Sequence, residues 1–321
     1  MRKKLIISSI ILLTLFTFVA CELFLEKPPK PTIYALLVGI DYKNTNEQRD
    51  LPGTVGDAKE LAAALYHRGA EMGNSVEIRL MLQENNSPLP ANQDVALELY
   101  PTVKNIITQI NKIANLVTEN DIFVFYFAGH GSGDEDNLGT FATASLGTYG
   151  AGDLPLLTTK TLREEMQTVK GTKILILDSC YSGAHEVDYP RSFAAQSTDS
   201  AYDPAQFYLL ASSAHEKSWE TNEFSSDHAH GYLTALLLKS LGWQHDGTST
   251  IPIFNSDSSA ESESETNGHI PKGSTAPVER NGSIMMGDIF SYISNKFRNN
   301  KGQTPQTGSG PLDLVLFSRH W

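Results

Sequence analysis

Apolar residues along the chain follow two patterns, short continuous runs and longer stretches with helical spacing. Continuous runs rich in Val, Ile, Leu and Phe are typical of strands buried on both faces of a sheet. Six strands are predicted, at 33–40, 76–82, 122–128, 173–178, 207–212 and 312–317. Helices are predicted at 58–68, 101–117, 159–169, 232–241 and 287–297. This alternation predicts an α/β fold, a three-layer sandwich whose mostly parallel sheet carries helices on both faces.

One stretch, at about 244–283, does not fit the alternation. It is rich in Ser, Thr, Glu, Gly and Pro and contains the tract SDSSAESESETNG. Few apolar residues are available to order it, so the composition predicts a flexible, low-complexity insertion within the fold.

The N-terminus has the pattern of an export signal. Three basic residues at 2–4 precede an apolar run at 5–20, which predicts a signal peptide over residues 1–20. The junction Phe18-Val19-Ala20-Cys21 resembles a bacterial lipobox, which implies lipidation of Cys21. An ordinary cleaved signal and an uncleaved anchor are the alternatives.

A lipidated Cys21 implies an exported bacterial lipoprotein, held on a membrane by its acyl chains and facing the periplasm or the cell surface. Residues 21–31 would form a Pro-rich tether, followed by one domain at 32–318. Glu22, directly after the lipidated residue, hints at sorting to an outer membrane.

Composition excludes several classes of protein. The 321 residues carry a formal net charge of -12, which disfavours a nucleic-acid partner. Two cysteines, Cys21 and Cys180, form neither a disulfide framework nor a Cys-rich zinc site. The pair His228 and His230 lacks ligand partners at metal spacing and is interpreted as surface.

Candidate chemistry lies at the ends of two predicted strands. The strand 122–128 runs into His130, and the strand 173–178 runs into Cys180. Functional groups gather at the carboxyl ends of parallel strands, so neighbouring strands would bring the two side chains to one crevice. A thiolate nucleophile and an imidazole acid/base would then form a catalytic pair. Considered one at a time, a single Cys is more often a small buried apolar residue, and a single His is more often an ordinary loop residue.

Six stretches, in order along the chain, resemble the caspase-like cysteine peptidases of peptidase family C14, closest to the bacterial and metacaspase-type members. They are YALLVGIDY, GTVGDAKELAAAL, FVFYFAGHGS, ILILDSCYSG, LLASSAHEKSWE and GYLTALLLKSL. The spacing of fifty residues between His130 and Cys180 agrees with this family. The resemblance implies the caspase–haemoglobinase fold, with the strand at 312–317 antiparallel at the sheet edge. It also implies Cys180 as nucleophile, His130 as general acid/base, and the amides of Gly131 and Cys180 as the oxyanion hole.

The resemblance also implies a preference for a basic residue before the cleaved bond. Asp178 stands two residues before Cys180, where caspases carry Gln, and Asp57 matches a pocket Asp of metacaspase-type members. Two carboxylates favour Arg or Lys and repel Asp or Glu. A helix cap for Asp57 and a strand-end turn for Asp178 are compatible alternatives.

Two further expectations rest on the same resemblance. Related metacaspases often need calcium, for which the acidic loop 134–136 and Asp153 are candidates, although solvated loop acids are the commoner explanation. The dyad chemistry itself requires no cofactor, and no metal ligands are assigned. Arg191, the one Lys or Arg between 184 and 203, is a candidate for self-cleavage; an intact single chain and a solvated loop side chain are the alternatives.

The sequence therefore predicts a membrane-anchored cysteine endopeptidase that acts on protein or peptide substrates. The alternatives are a caspase-like lipoprotein that binds or regulates a partner without cutting it, and a different Cys-dependent acyl transfer on the same fold. The presence of both Cys180 and His130 argues against the non-cleaving alternative. The sequence does not indicate the oligomeric state.

Overall fold

The computed structural model describes residues 29–43, 50–84, 99–133, 139–143, 156–187, 205–223, 229–254, 260–297, 302–308 and 310–321. In chain order the elements are β1 (Thr32–Ile40), α1 (Thr54–Met72), β2 (Ser75–Gln83), α2 (Val103–Ala114), β3 (Ile122–Ala128), β4 (Phe141–Ala142), β5 (Leu156–Leu157), α3 (Thr159–Met166), β6 (Thr172–Asp178), α4 (Ala184–Val187), β7 (Gln206–Leu210), β8 (Glu220–Thr221), β9 (His230–Gly231), α5 (Tyr232–Ser240), β10 (Gln244–Phe254), β11 (Ala260–His269), β12 (Ser283–Met285), α6 (Met286–Phe297), β13 (Gln306–Thr307) and β14 (Val315–Ser318).

A six-stranded sheet lies at the centre of the structure, in the order β13-β7-β6-β3-β1-β2. The five strands from β7 to β2 pair in parallel. β13 pairs antiparallel with β7 and closes one edge. The predicted mixed α/β architecture with a mostly parallel sheet is confirmed.

Successive side chains of a strand point to opposite faces of the sheet, and the two faces form separate cores. One face packs against α1, α5 and α6, whose buried residues include Leu61, Leu237 and Ile289. The other packs against α2 and α3 through residues such as Ile110 and Leu162. Both faces of the central strands are covered, which explains their continuous apolar sequences.

The antiparallel edge strand differs from the prediction. We expected residues 312–317 to occupy the edge, but β14 pairs antiparallel with β12 in a separate two-stranded sheet. The edge position belongs to β13, a two-residue strand. The sequence QT carries no apolar pattern that would have predicted a strand there.

The prediction of a flexible insertion at 244–283 is wrong for its described residues. β10 and β11 form an antiparallel hairpin that packs against α1 and β2. Ile251 and Ile253 of β10 are buried in the core. The Nη1 group of Arg68, on α1, donates to the carbonyl oxygen of Ser274 at 2.7 Å, which fixes the chain beyond the hairpin.

Several predictions concern residues outside the described ranges. These are the signal peptide with Cys21, the acidic loop 134–136, Asp153, Arg191 and His228. Within the described ranges, no helix has both the length and the apolar character needed to cross a membrane.

Candidate active site

The register of β3 and β6 places His130 and Cys180 at the same end of adjacent strands. Ala128 and Asp178, the last residues of the two strands, are direct partners in the parallel ladder. His130 and Cys180 each follow two residues later. The amide of Gly129 still donates to the carbonyl of Asp178 at 3.4 Å, so the chains stay paired beyond the strands. Both candidate catalytic residues are partly exposed.

Gly131 lies directly against the backbone of Cys180. A Cβ atom at this position would overlap the carbonyl oxygen of Cys180, so the approach requires glycine. On its other side Gly131 faces Phe141 in an antiparallel bridge. The amide of Ala142 donates to the carbonyl of His130, and the amide of Ser132 donates to the carbonyl of Thr140. Gly131 and Phe141 are therefore a non-hydrogen-bonded pair of the antiparallel ladder. The amide of Gly131 therefore points away from β4.

Substitution of Gly131 by alanine is expected to damage the site more than the fold. The added Cβ forces the chain after β3 away from Cys180, and a displacement of this kind costs about 100-fold in turnover. Overpacking also costs about 2 kcal/mol of stability. Peptide hydrolysis and thermal unfolding measure the two effects. Gly273→Ala is the control for turnover, because nothing lies within 4 Å of the added Cβ; its φ of +72° strains an alanine locally, so this variant loses some stability but keeps its activity. Equal losses of turnover in the two variants would contradict the argument.

Tyr42 positions the chain at His130. The amide of His130 donates to the Tyr42 hydroxyl oxygen at 2.9 Å, and that hydroxyl donates to the carbonyl of Ala142 at 2.7 Å. The two aromatic rings lie against each other with centroids 4.5 Å apart. Tyr42 adopts a left-handed conformation with a φ of 57°, and its amide donates to Gln83. These contacts fix the backbone and one ring face of His130.

The thiol of Cys180 lies against the backbone of Ser218. The Ser218 amide donates to Sγ at 3.4 Å, and Sγ lies 3.7 Å from the Ser218 carbonyl oxygen. Burial raises the pKa of the Cys180 thiol; the amide of Ser218 and the charge of Lys217 act in the opposite direction. A raised pKa lowers the fraction of thiolate, which increases the value of a nearby base that takes the proton.

Asp178 is buried below Cys180 and accepts three hydrogen bonds. Its Oδ1 accepts from the Ser218 hydroxyl at 2.9 Å, and its Oδ2 accepts from the amide and hydroxyl of Thr234 at 3.0 and 2.7 Å. Burial raises its pKa, while these donors lower it. Ser218 therefore contacts both Cys180 and Asp178, since its backbone meets the sulfur and its side chain meets the carboxylate.

Asp57 is fully buried and lies next to Asp178 around Gly231. Its Oδ1 lies 2.6 Å from Nδ1 of His230, and its Oδ2 accepts from the amide of Gly231 at 2.8 Å. Burial, followed by the charge of Asp178, raises the pKa of Asp57 well above its ordinary value. The helix-cap interpretation is wrong, because α1 begins at Thr54 after Gly53 and Asp57 lies in its first turn.

Glu220 is a third carboxylate at this position that sequence reasoning missed. It pairs directly with Gly231 across β8 and β9 and is more exposed than the two aspartates. Its Oε1 accepts from the amide of Gly53 at 2.9 Å. A Cβ on Gly231 would overlap Oδ2 of Asp178, so glycine lets the carboxylates of Asp57 and Asp178 both approach this residue. The signal for Glu220 was the SWE segment, in which the acidic residue follows Ser218 and Trp219.

The interpretation of His230 as a surface residue is wrong. His230 is fully buried and contacts Asp57. Its partner in the pair, His228, lies outside the described residues, as do Asp153, Arg191 and the loop 134–136. The structure places His130, Gly131, Asp178 and Cys180 at one end of two adjacent strands, and Gly231 lies between Asp178 and Asp57.

Comparison with known families agrees with this geometry. The sequence matches the caspase domain of the peptidase C14 family over residues 32–313. Since the match covers most of the chain, the chain belongs to this family of caspase-like peptidases. No curated protein is significantly similar to it in sequence.

Proposed function

We propose that this protein is a cysteine endopeptidase with Cys180 as nucleophile and His130 as general acid and base. The observation that carries the proposal is the register of β3 and β6, which brings both residues to one end of the sheet. Membership of the caspase-domain family supports a hydrolytic reaction on a peptide bond. The acidic surroundings of Gly231 support substrates with a basic residue.

The reaction begins with transfer of the Cys180 proton to His130 and attack of Sγ on the scissile carbonyl carbon. The amides of Gly131 and Cys180 donate to the oxyanion of the tetrahedral intermediate. His130 then protonates the leaving amine, which leaves an acyl group on sulfur. Water, deprotonated by His130, hydrolyses this thioester and restores the thiol.

The proposed substrate carries Arg or Lys before the cleaved bond. Asp178 lies two residues before the nucleophile, with Asp57 and Glu220 beside it. In a desolvated pocket, an ion pair between a guanidinium and the Asp178 carboxylate is stronger than the hydrogen bond from the uncharged Ser218 hydroxyl that it replaces. An acidic substrate residue meets like charge at the same place.

A panel of fluorogenic peptides tests the proposal. The peptides differ only in carrying Arg, Lys, Asp or Ala before the scissile bond, and each is measured with calcium and with chelator. We expect hydrolysis of the Arg and Lys peptides and none of the Asp peptide. The two ion conditions test whether calcium activates the enzyme, as the resemblance to metacaspases implies. Absence of hydrolysis under all conditions would favour a binding protein.

We further propose that Cys21 is acylated and anchors the domain to a bacterial membrane. The basis is the charged start, the apolar run and the Ala20-Cys21 junction. Metabolic labelling with an alkyne fatty acid is expected to mark the wild type and to fail in Cys21→Ser. Cys180→Ser is the control and keeps the label. Equal labelling or equal detergent partitioning of wild type and Cys21→Ser would contradict acylation at this residue.

A further inference from the structure

A cluster of two histidines and one glutamate lies behind the pocket acids, where the sequence suggested no ligand set. Glu60 lies on α1, His230 on β9 and His245 on β10. One ligand atom from each side chain lies within 4.8 Å of the others. The side chains of Glu60 and His230 are 1% and 0% exposed, and that of His245 is 17% exposed. Three distant segments of the chain therefore converge on one buried point.

The distances suit a small tetrahedral ion. With metal–ligand bonds of 2.0–2.1 Å, two ligand atoms of a tetrahedral zinc site lie about 3.3 Å apart. Nδ1 of His245 lies 3.2 Å from Oε2 of Glu60, and Nε2 of His230 lies 3.9 Å from the same oxygen. The imidazole rings have centroids 5.0 Å apart. Small rotations of the side chains bring all three atoms to bonding distance.

Neighbouring side chains contact two of the three proposed ligands through hydrogen-bonding groups, as is common around the ligands of metal sites. Oδ1 of Asp57 lies 2.6 Å from Nδ1 of His230, the carboxylate–histidine arrangement that leaves Nε2 to bind a metal. The indole N–H of Trp243 donates to Oε2 of Glu60 at 3.0 Å and fixes the carboxylate. Such partners orient the ligands before the ion arrives.

We infer that Glu60, His230 and His245 bind a transition-metal ion, and that Zn²⁺ fits the ligand set best. Two imidazoles and one carboxylate suit zinc, whereas calcium prefers oxygen ligands and more of them. Three protein ligands leave one position for water. A cavity of about 340 Å³ lies beside Glu60, which lines it together with Gly56, Lys59, Glu265, Thr266 and Asn267.

The ion would join the β10–β11 hairpin to the substrate pocket. His245 lies at the start of the hairpin, while His230 and Gly231 both contact Asp57. A metal bond to His230 would hold Asp57 and β9 in place, and a bond to His245 would hold the hairpin on α1. The site is thus a cross-link within the fold, distinct from the Cys180–His130 pair.

Metal binding is tested on the full-length chain purified in detergent. Every sample carries Cys180→Ser, because a thiol beside an imidazole also binds zinc. This background also makes the result independent of the proposed peptidase activity. After treatment with chelator, the protein is titrated with Zn²⁺ or Ca²⁺, and retained metal is counted by mass spectrometry after gel filtration. We expect one equivalent of retained Zn²⁺, no retained Ca²⁺, and a zinc-dependent rise in Tm of about 5 °C.

The variants locate the site. His245→Ala and Glu60→Gln are each expected to lose the retained zinc and the rise in Tm. His269→Ala, a histidine on β11 outside the cluster, keeps both. Melting curves in chelator identify any variant that fails to fold, and the other variant then decides. No retained zinc in the Cys180→Ser parent, or unchanged zinc in a folded His245→Ala or Glu60→Gln protein, would overturn the inference.

Discussion

Cys180→Ala is expected to lower peptide hydrolysis by at least about 1,000-fold, because groups other than the nucleophile supply only the remaining part of the catalysis. The fold should survive, since the side chain is small and partly exposed and its hydrogen bonds go to the Ser218 backbone. Initial rates on the best peptide of the panel measure the loss, and thermal unfolding measures the fold.

A second variant separates the dyad from general damage to the site. His130→Ala should show a loss of similar size, and the double variant should lose little more, because the two residues act as a unit. His215→Ala provides the control, since His215 is an exposed histidine in the loop after β7. Near wild-type turnover in folded Cys180→Ala protein would disprove the proposed mechanism.

Asp178→Asn is expected to lower kcat/KM for an arginine peptide by about 100-fold, or about 2.7 kcal/mol, because an ion pair with the guanidinium becomes a hydrogen bond to an uncharged amide. The kcat/KM for the alanine peptide should fall far less, so the ratio of the two kcat/KM values, which measures the preference for arginine, becomes smaller. The asparagine keeps the shape of the site, since its oxygen can accept from Thr234 while its amide donates to a rotated Ser218 hydroxyl. Measurement of both peptides on both proteins gives the preference directly.

Asp57→Asn tests the same pocket, but this substitution is also expected to affect the stability of the fold. Asp57 accepts from the Gly231 amide and contacts His230, so an asparagine NH₂ would oppose one donor inside the protein. This variant should lose stability as well as the preference for arginine. Asp313→Asn changes the net charge equally on the exposed surface and serves as the control. An unchanged preference in folded Asp178→Asn protein would remove Asp178 from the pocket.

The central part of the fold was predictable because its signals are local. Strands β3 and β6 are continuous apolar runs, and their ends at residues 128 and 178 were predicted at the residues the structure gives. The juxtaposition of His130 and Cys180 follows from parallel pairing alone. A strand buried on both faces shows its burial in its own sequence, whichever residues cover it.

The hairpin β10–β11 could not be predicted from such signals. Its sequence is polar, and the ladder pairs residues such as Thr250 and Glu265. Ordering comes from backbone hydrogen bonds and from the packing of Ile251 and Ile253 against the core, both of which depend on distant parts of the chain. Amino-acid composition indicates how much conformational entropy a segment loses when it becomes ordered. It does not reveal the distant contacts that offset this loss.

The supporting residues of the site were missed for the same reason. Tyr42 lies 88 positions before His130, and His230 lies 173 positions after Asp57, yet both pairs are in direct contact. The sequence reveals a nucleophile next to a strand end, but it does not reveal which side chains fold back onto it. Glu220 was within the SWE segment and could have been found by its place two residues after Ser218.

Covalent capture of the nucleophile tests the central claim most directly. A peptidyl chloromethyl ketone with arginine next to the reactive carbon is incubated with the full-length protein. A second probe, identical except that aspartate replaces the arginine, is the matched control. Intact mass and peptide mapping locate the adduct. We predict one adduct, on Cys180, with the arginine probe, its loss in His130→Ala, and none with the aspartate probe. Preferential capture by the aspartate probe, or an adduct elsewhere than Cys180, would contradict the account.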